Sequence, residues 1–196
     1  MPSPRPTLST PAAGVVVLVG NPRPGSRTRT AGETVAQRVA ARLHVTGERT
    51  TIDLADLADE ILTATHPRAD EALRTVAAAR LLVVATPVYK GSYTGLLKAF
   101  LDLYGPTGLQ GVLAVPLVVS ASPAHQHAGE THLLPLLAEL GAQVPDQALA
   151  LLEPELADAA AHADLWLDEV PFATAPASTA PAPALAAALR AQEVVR

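Results

Sequence analysis

The chain contains no cysteine and few aromatics, with one Trp, three Tyr and two Phe among 196 residues. Without thiols it can have no disulfide, no Cys-ligated zinc, no iron–sulfur cluster and no thiol nucleophile, and cysteine usage leaves its redox compartment undetermined. Positive charge is also scarce: 14 Lys+Arg stand against 19 Asp+Glu, a formal net charge of −5. That balance lacks the basic surface that phosphate-backbone contacts require, which counts against nucleic-acid binding. Long apolar runs are missing, since Arg80–Ala85 and Leu113–Val119 fall well short of the ~20 residues of a membrane-spanning helix. Met1–Gly14 has Pro, Ser and Thr but no apolar stretch, so no secretory signal is expected and the cytoplasm is the default location.

What is present is apolar residues at 49% of the chain, enough for the core of one domain. The two ends differ from the middle. Residues 1–13 carry Pro2, Pro4, Pro6 and Pro11 and read as a flexible leader. Residues 170–196 read as an Ala/Pro-rich tail, in which Pro171–Pro183 alternates Ala, Thr, Ser and Pro ahead of a short helix over Ala184–Val194. Between them, residues 14–169 alternate short apolar strands with helical patterns. Strands are expected at Val15–Gly20, Thr50–Leu54, Arg80–Thr86, Val112–Ser120 and Ala148–Leu152. Helices are expected at Thr28–Leu43, Ala69–Ala79, Thr94–Tyr104, Gly129–Ala142 and Pro154–Glu169. Strand starts thus recur at about the length of a βαβ unit, and unbroken apolar strands mean that helices cover both faces. The expected fold class is α/β, a flavodoxin-like, doubly wound, five-stranded parallel sheet. Ligands on such sheets bind beyond the carboxyl ends of the strands, which directs attention to 20–30, 86–94 and 120–129.

In the first of these loops, Gly20-Asn21-Pro22-Arg23-Pro24-Gly25-Ser26-Arg27-Thr28 leaves a strand and enters a helix. It offers the hydroxyls of Ser26, Thr28 and Thr30, the guanidinium groups of Arg23, Arg27 and Arg29, and the free N–H groups of a helix start. Together these make a phosphate cradle. Gly20 and Gly25 have Walker A spacing, but Ser26-Arg27 stands where Lys-Ser/Thr is needed, so a nucleoside triphosphatase is rejected. The dinucleotide fingerprint G-x-G-x-x-G is absent as well. What remains is a single monoester phosphate, the way a flavin mononucleotide is held, or else a plain helix cap at Ser26 or Thr28.

The second loop, Thr86-Pro87-Val88-Tyr89-Lys90-Gly91-Ser92-Tyr93-Thr94-Gly95-Leu96-Leu97-Lys98, holds both lysines and two of the three tyrosines. Aromatics on this rim are expected to face a flat ligand, with Pro87 stiffening the turn and Gly91 allowing close backbone approach. These two motifs, with the order of strands and helices, resemble the NAD(P)H-dependent FMN reductases over about Val15 to Glu169. The likeness is strongest to the flavin reductases that supply alkanesulfonate-type monooxygenases. It implies FMN and NAD(P)H as ligands, an oligomer (usually a dimer or a pair of dimers) and a flavin-dependent monooxygenase as recipient of reduced flavin. It also implies phosphate on Arg23, Ser26 and Thr28, with the flavin ring against Pro87–Ser92. Asn21 stands where the family usually has Ser. Ser120-Ala121-Ser122-Pro123 replaces Thr/Ser-Gly-Gly and restricts backbone approach at that edge.

The cofactor-binding candidates are Asn21, Arg23, Ser26, Arg27, Thr28, Pro87, Val88, Tyr89, Lys90, Gly91, Ser92 and Ser120. No side chain is needed as nucleophile or general acid, because the cofactor carries the chemistry. The protein's tasks are to stack nicotinamide over flavin and to stabilise charge at flavin N1/O2, with amides of Ser120–Ser122 or Pro87–Tyr89 as candidates. Lys90 has two readings, a contact to nicotinamide-nucleotide phosphates or a structural pair with an acid. His125, His127 and His132, with Glu130 among them, have ligand-like spacing but no evident fourth ligand. They are read as rim residues or as part of an oligomer interface, and no metal is expected. Pro135 should kink or irregularly turn its helix, and in the family irregular geometry here is tied to assembly and flavin affinity. Asp53/Asp56 and Asp59/Glu60 are read as surface charge. A receiver domain is excluded because Val19-Gly20 supplies no acid, and a nucleophile elbow is excluded because Tyr93 takes the central place of Gly91–Gly95. Two other functions on this fold stay open: a reductase of quinones, azo compounds or metal oxyanions that retains FMN, and a non-enzymatic FMN carrier or assembly subunit.

Overall fold

The computed structural model describes residues 14–170, so the leader 1–13 and, apart from Val170, which is buried in the core, the 170–196 tail lie outside the described residues. Five parallel strands, β1 (Val15–Val19), β2 (Arg49–Asp53), β3 (Leu81–Pro87), β4 (Leu113–Ser120) and β5 (Leu149–Leu152), form one sheet. Their order is β2-β1-β3-β4-β5, the flavodoxin-like winding expected from the sequence. The central strands are long β-branched and leucine runs, and every residue of β1, β3 and β4 is buried.

Alternation along the strands assigns the two layers. Val15, Val17 and Val19 face a core with α1 (Arg27–Arg42) and α5 (Ala159–Glu169), where Val35, Val39, Trp166 and Leu167 pack. Val16 and Leu18 face the opposite core, with α2 (Pro67–Ala77), α3 (Gly95–Leu101) and α4 (Leu134–Glu139), around Leu73, Phe100 and Leu137. Tyr104, just past α3, belongs to this second core. Its hydroxyl donates to the Leu73 carbonyl at 2.8 Å, and burial pushes its phenol far above the ordinary value.

Helix α1 lies close against the sheet because Gly32 has no side chain. A Cβ there would come within 2.9 Å of Val17 Cγ1 and 3.0 Å of Ala85 Cβ. Gly32→Val should therefore lower stability by about 1–3 kcal/mol despite its apolar character, read as a lower urea midpoint.

Two helices start or run differently from the sequence reading. The helix expected over Gly129–Ala142 opens as a π-helical turn, Gly129–Leu133, and becomes α-helical only over α4. Pro135 explains this: its ring would collide with the carbonyl four residues back, and the widened turn, in which Leu134 N–H donates to the Gly129 carbonyl, relieves the crowding. The helix expected from Pro154 begins as a 3-10 helix, Glu153–Asp158, ahead of α5. Pro116 also sits inside β4 without breaking it. Leu113 N–H donates to the Arg80 carbonyl and Ala114 N–H to that of Gln143, so alternation turns the donor that Pro116 lacks away from β3. Pairing with β5 begins only at Leu117, and the missing donor falls beside a gap.

The pairing register brings the strand ends to one rim. Val19 is opposite Asp53 and Ala85, Pro87 opposite Val119, and Ser120 opposite Leu152. The crossovers diverge between β1 and β3, so the loops leaving these two strands flank the switch point where this topology binds ligands.

Candidate functional site

The first loop is held from within and from outside. Asn21 is buried, its Nδ2 donating to Thr28 Oγ1 at 3.1 Å while its Oδ1 accepts from Arg23 N at 3.0 Å. Gly25 takes a left-handed backbone, φ 62°, and its N–H donates to Asp53 Oδ2 at 3.1 Å. Ser26 is the N-cap of α1, its hydroxyl accepting from Arg29 N at 3.3 Å. The amides of Ser26, Arg27 and Thr28 have no acceptor among the described residues. Three consecutive donors therefore point out at the positive end of a 16-residue helix.

The arginines divide. Arg27 is paired with Glu153 at 2.7 Å, beyond the end of β5. Arg29 donates its Nε to Glu33 at 3.0 Å and lies 3.9 Å from Asp53, and the hydrogen bond it gives to Glu33 raises its pKa. Arg23 is exposed and has no acidic partner among the described residues. The sequence pointed to three arginines facing one anion, whereas the structure leaves one guanidinium unpaired. Thr28 has a buried hydroxyl whose oxygen accepts from Asn21, which leaves its O–H proton and its main-chain N–H as the donors it can offer.

The second loop is a hairpin tip. Tyr89 N–H donates to the Ser92 carbonyl at 2.8 Å and Ser92 N–H to that of Tyr89 at 3.2 Å. The central residues Lys90 and Gly91 both have positive φ, 55° and 81°, as in a type I′ turn. For Lys90 that conformation costs ~1–2 kcal/mol, which the two cross-turn bonds offset. Nothing lies within 4 Å of where a Gly91 side chain would be. Tyr89 is 44% exposed beside the tip, while Tyr93 turns inward against the α2/α3/α4 core, so one loop tyrosine and not two faces outward. Val88 N–H donates to the Val119 carbonyl at 2.8 Å and Pro87 is buried at the end of β3. Of the two lysines, Lys98 is paired with Asp102, which raises its pKa, and Lys90 has no acid within pairing distance among the described residues.

Thr94 ties the two loops together. It is buried, donates its hydroxyl to the Gly20 carbonyl and accepts from Leu97 N at 3.1 Å as the N-cap of α3, while its own N–H donates to Thr86 Oγ1 at 3.3 Å. In the third loop Ser120 is buried and its hydroxyl is turned onto the Ser122 carbonyl at 3.1 Å, which leaves main-chain groups to face a ligand there. His125, His127 and His132 are exposed, and no metal-holding group of three His, Cys, Asp or Glu occurs among the described residues.

One reading is overturned. Asp53 is no surface charge but a buried carboxylate at the end of β2, accepting from Gly25 N and, at 3.3 Å, from Ala55 N. Its position at the carboxyl end of a parallel strand was the signal available in the sequence. Glu60 is also structural: its Oε1 accepts from Ala69 N at 2.6 Å and its Oε2 meets Arg68 at 3.2 Å.

A family model described as NADPH-dependent FMN reductase matches residues 13–154. The chain belongs to this family. Members are oxidoreductases whose ligands are FMN and a reduced nicotinamide nucleotide. Among its relatives, an NADH-dependent FMN reductase, SfnE of Pseudomonas putida, is 33% identical over 156 residues, 77% of this chain and 82% of the relative. FMN reductase (NADPH) of Escherichia coli is 47% identical over 62 residues, so the match spans only 32% of that relative. The apo form of an NADH:FMN oxidoreductase, EmoB, superposes with a TM-score of 0.68 at 30% identity, covering 87% of this chain and 97% of that one. The rim fits the family's flavin: three unpaired amides and one unpaired guanidinium suit a monoester phosphate, and the open space over Gly91 suits a flat ring.

Proposed function

We propose that this chain is an NAD(P)H:FMN oxidoreductase whose reduced FMN leaves to serve a flavin-dependent monooxygenase. When bound, FMN supplies the redox chemistry, its N5 accepting a hydride from nicotinamide C4. The chain's own residues bind and orient. The amides of Ser26, Arg27 and Thr28, the Ser26 hydroxyl and the Arg23 guanidinium take the phosphate, and Asn21 shapes the loop that presents them. Pro87, Val88, Tyr89, Gly91 and Ser92 form the edge along which the ring lies. Main-chain N–H groups at Ser120–Ser122 meet the pyrimidine end, where negative charge grows, whereas Pro87 has no N–H and those of Val88 and Tyr89 are committed to the Val119 and Ser92 carbonyls. Lys90, unpaired on a rigid tip, contacts nicotinamide-nucleotide phosphates. No side chain is required to carry a proton. The working form is a homodimer or a pair of dimers. No helix among the described residues is long and apolar enough to cross a membrane.

The observation that carries this reading is the row of unpaired α1 amides placed at the β1/β3 switch beside the Tyr89–Ser92 tip. Steady-state oxidation of NADH and NADPH with varied free FMN tests it. The expected result is saturation by added FMN, with reduced FMN passing an ultrafiltration membrane when oxygen is excluded. Flavin that stays on the protein while quinone or azo dye is reduced would replace the supply role with that of a retained-flavin reductase. Bound FMN with no nicotinamide oxidation would make the chain a carrier.

A further inference from the structure

We infer that Asp53 is a positioning residue that selects phosphorylated over unphosphorylated flavin by fixing the shape of the first loop through Gly25. The inference rests on the reading of that loop as the phosphate site. Asp53 ends β2, and its side chain is 1% exposed. One carboxylate oxygen accepts from Ala55 N in its own following turn, and the other crosses 28 positions of sequence to accept from Gly25 N at 3.1 Å. Pro22 and Pro24 have no N–H and the N–H of Arg23 is committed to Asn21, so Gly25 N is the one amide between Asn21 and the N-cap Ser26 by which the rest of the protein can grip the loop.

The grip matters because of where it falls. Gly25 is the left-handed residue immediately before the N-cap, and the amides of Ser26, Arg27 and Thr28 follow it directly. Glycine occupies left- and right-handed wells about equally, so nothing in its own chemistry holds φ at 62°. The Asp53 bond supplies the missing preference and thereby aims the three donors. A buried anion so near a phosphate site also works against a bound dianion, and Arg29, 3.9 Å from Asp53 and shared with Glu33, offsets only part of that charge. Retaining a carboxylate here is explained by the two amides it accepts from, since an apolar residue could accept from neither.

The test compares FMN with riboflavin, which lacks the phosphate, by quenching of flavin fluorescence on the intact chain. Asp53→Ala should weaken FMN binding about 20-fold while riboflavin stays within about twofold of wild type. Asp53→Asn, which keeps one acceptor, should fall between. Gly25→Ala probes the same clamp from the other side: a Cβ there meets nothing within 4 Å, yet the left-handed backbone is strained. It should cost about 5-fold in FMN affinity, again without affecting riboflavin, and it keeps the inference testable if Asp53→Ala does not fold. A merely structural Asp53 would weaken both flavins equally. If wild type prefers FMN and Asp53→Ala, or Gly25→Ala where Asp53→Ala does not fold, keeps the wild-type ratio of FMN to riboflavin affinity, the role of Asp53 is overturned. If wild type binds both flavins equally, the phosphate reading itself fails.

Discussion

Thr94→Val is expected to lower the stability of the chain by about 2–4 kcal/mol and to weaken FMN binding in the same variant. Valine keeps the volume and branching of threonine, so packing around this buried position changes little and the effect isolates the hydroxyl. Two bonds disappear. Leu97 N loses its cap acceptor at the start of α3, and the Gly20 carbonyl loses the donor that ties the first loop to the second. A lost cap costs about 0.5–2 kcal/mol and a buried carbonyl left unmet about 1–3. The bond from Thr94 N to Thr86 Oγ1 is main-chain on the Thr94 side and survives the substitution. Thr94→Ser restores both lost bonds and should lie within about 1 kcal/mol of the parent. Urea midpoints and FMN titrations read the two effects. A valine variant as stable as its parent would mean that the loops are held independently of this hydroxyl.

Thr94 shows why the candidate site was only partly legible in the sequence. The sheet was, because strands buried on both faces by helices must be written as unbroken apolar runs, and Val15–Val19, Leu81–Ala85 and Leu113–Val119 are such runs. The helix starts at Ser26 and Thr94 carry hydroxyl caps, and the turn irregularity before α4 follows from Pro135, since each is a local rule written in adjacent residues. The details of the rim are not local. Arg27 and Glu153 are 126 positions apart, and only the folded sheet brings the end of β5 to the first turn of α1. Asp53 looks like one acid in the series Asp53, Asp56, Asp59 and Glu60, and its burial depends on a glycine amide 28 residues earlier. Tyr89 and Tyr93 are equivalent by composition. The type I′ turn between them, which requires two consecutive positive φ angles at Lys90 and Gly91, sends one outward and lets the other pack against the core.

The second large effect is expected from Arg23→Ala combined with Ser26→Ala, which should weaken FMN binding by about 3 kcal/mol, roughly 100-fold, with riboflavin binding almost unchanged. Each side chain can give a charge-assisted hydrogen bond to a phosphate oxygen, worth about 1.5–3 kcal/mol at a site where the helix terminus already favours an anion. Arg23 is the partner to remove because Arg27 and Arg29 are engaged by Glu153 and Glu33, so Arg27→Ala should cost far less. Losing the Ser26 hydroxyl also takes the acceptor from Arg29 N, so some stability, about 0.5–2 kcal/mol, should be lost with it. Far-ultraviolet circular dichroism and the urea midpoint separate that loss from the loss of affinity. The main-chain amides of Ser26, Arg27 and Thr28 remain in the double variant, which is why binding should weaken and not vanish. Measured by flavin fluorescence, equal FMN affinity in the double variant and the parent would place the phosphate elsewhere on the rim. A loss shared equally by riboflavin would mean that the substitutions had disturbed the loop and not removed a phosphate contact.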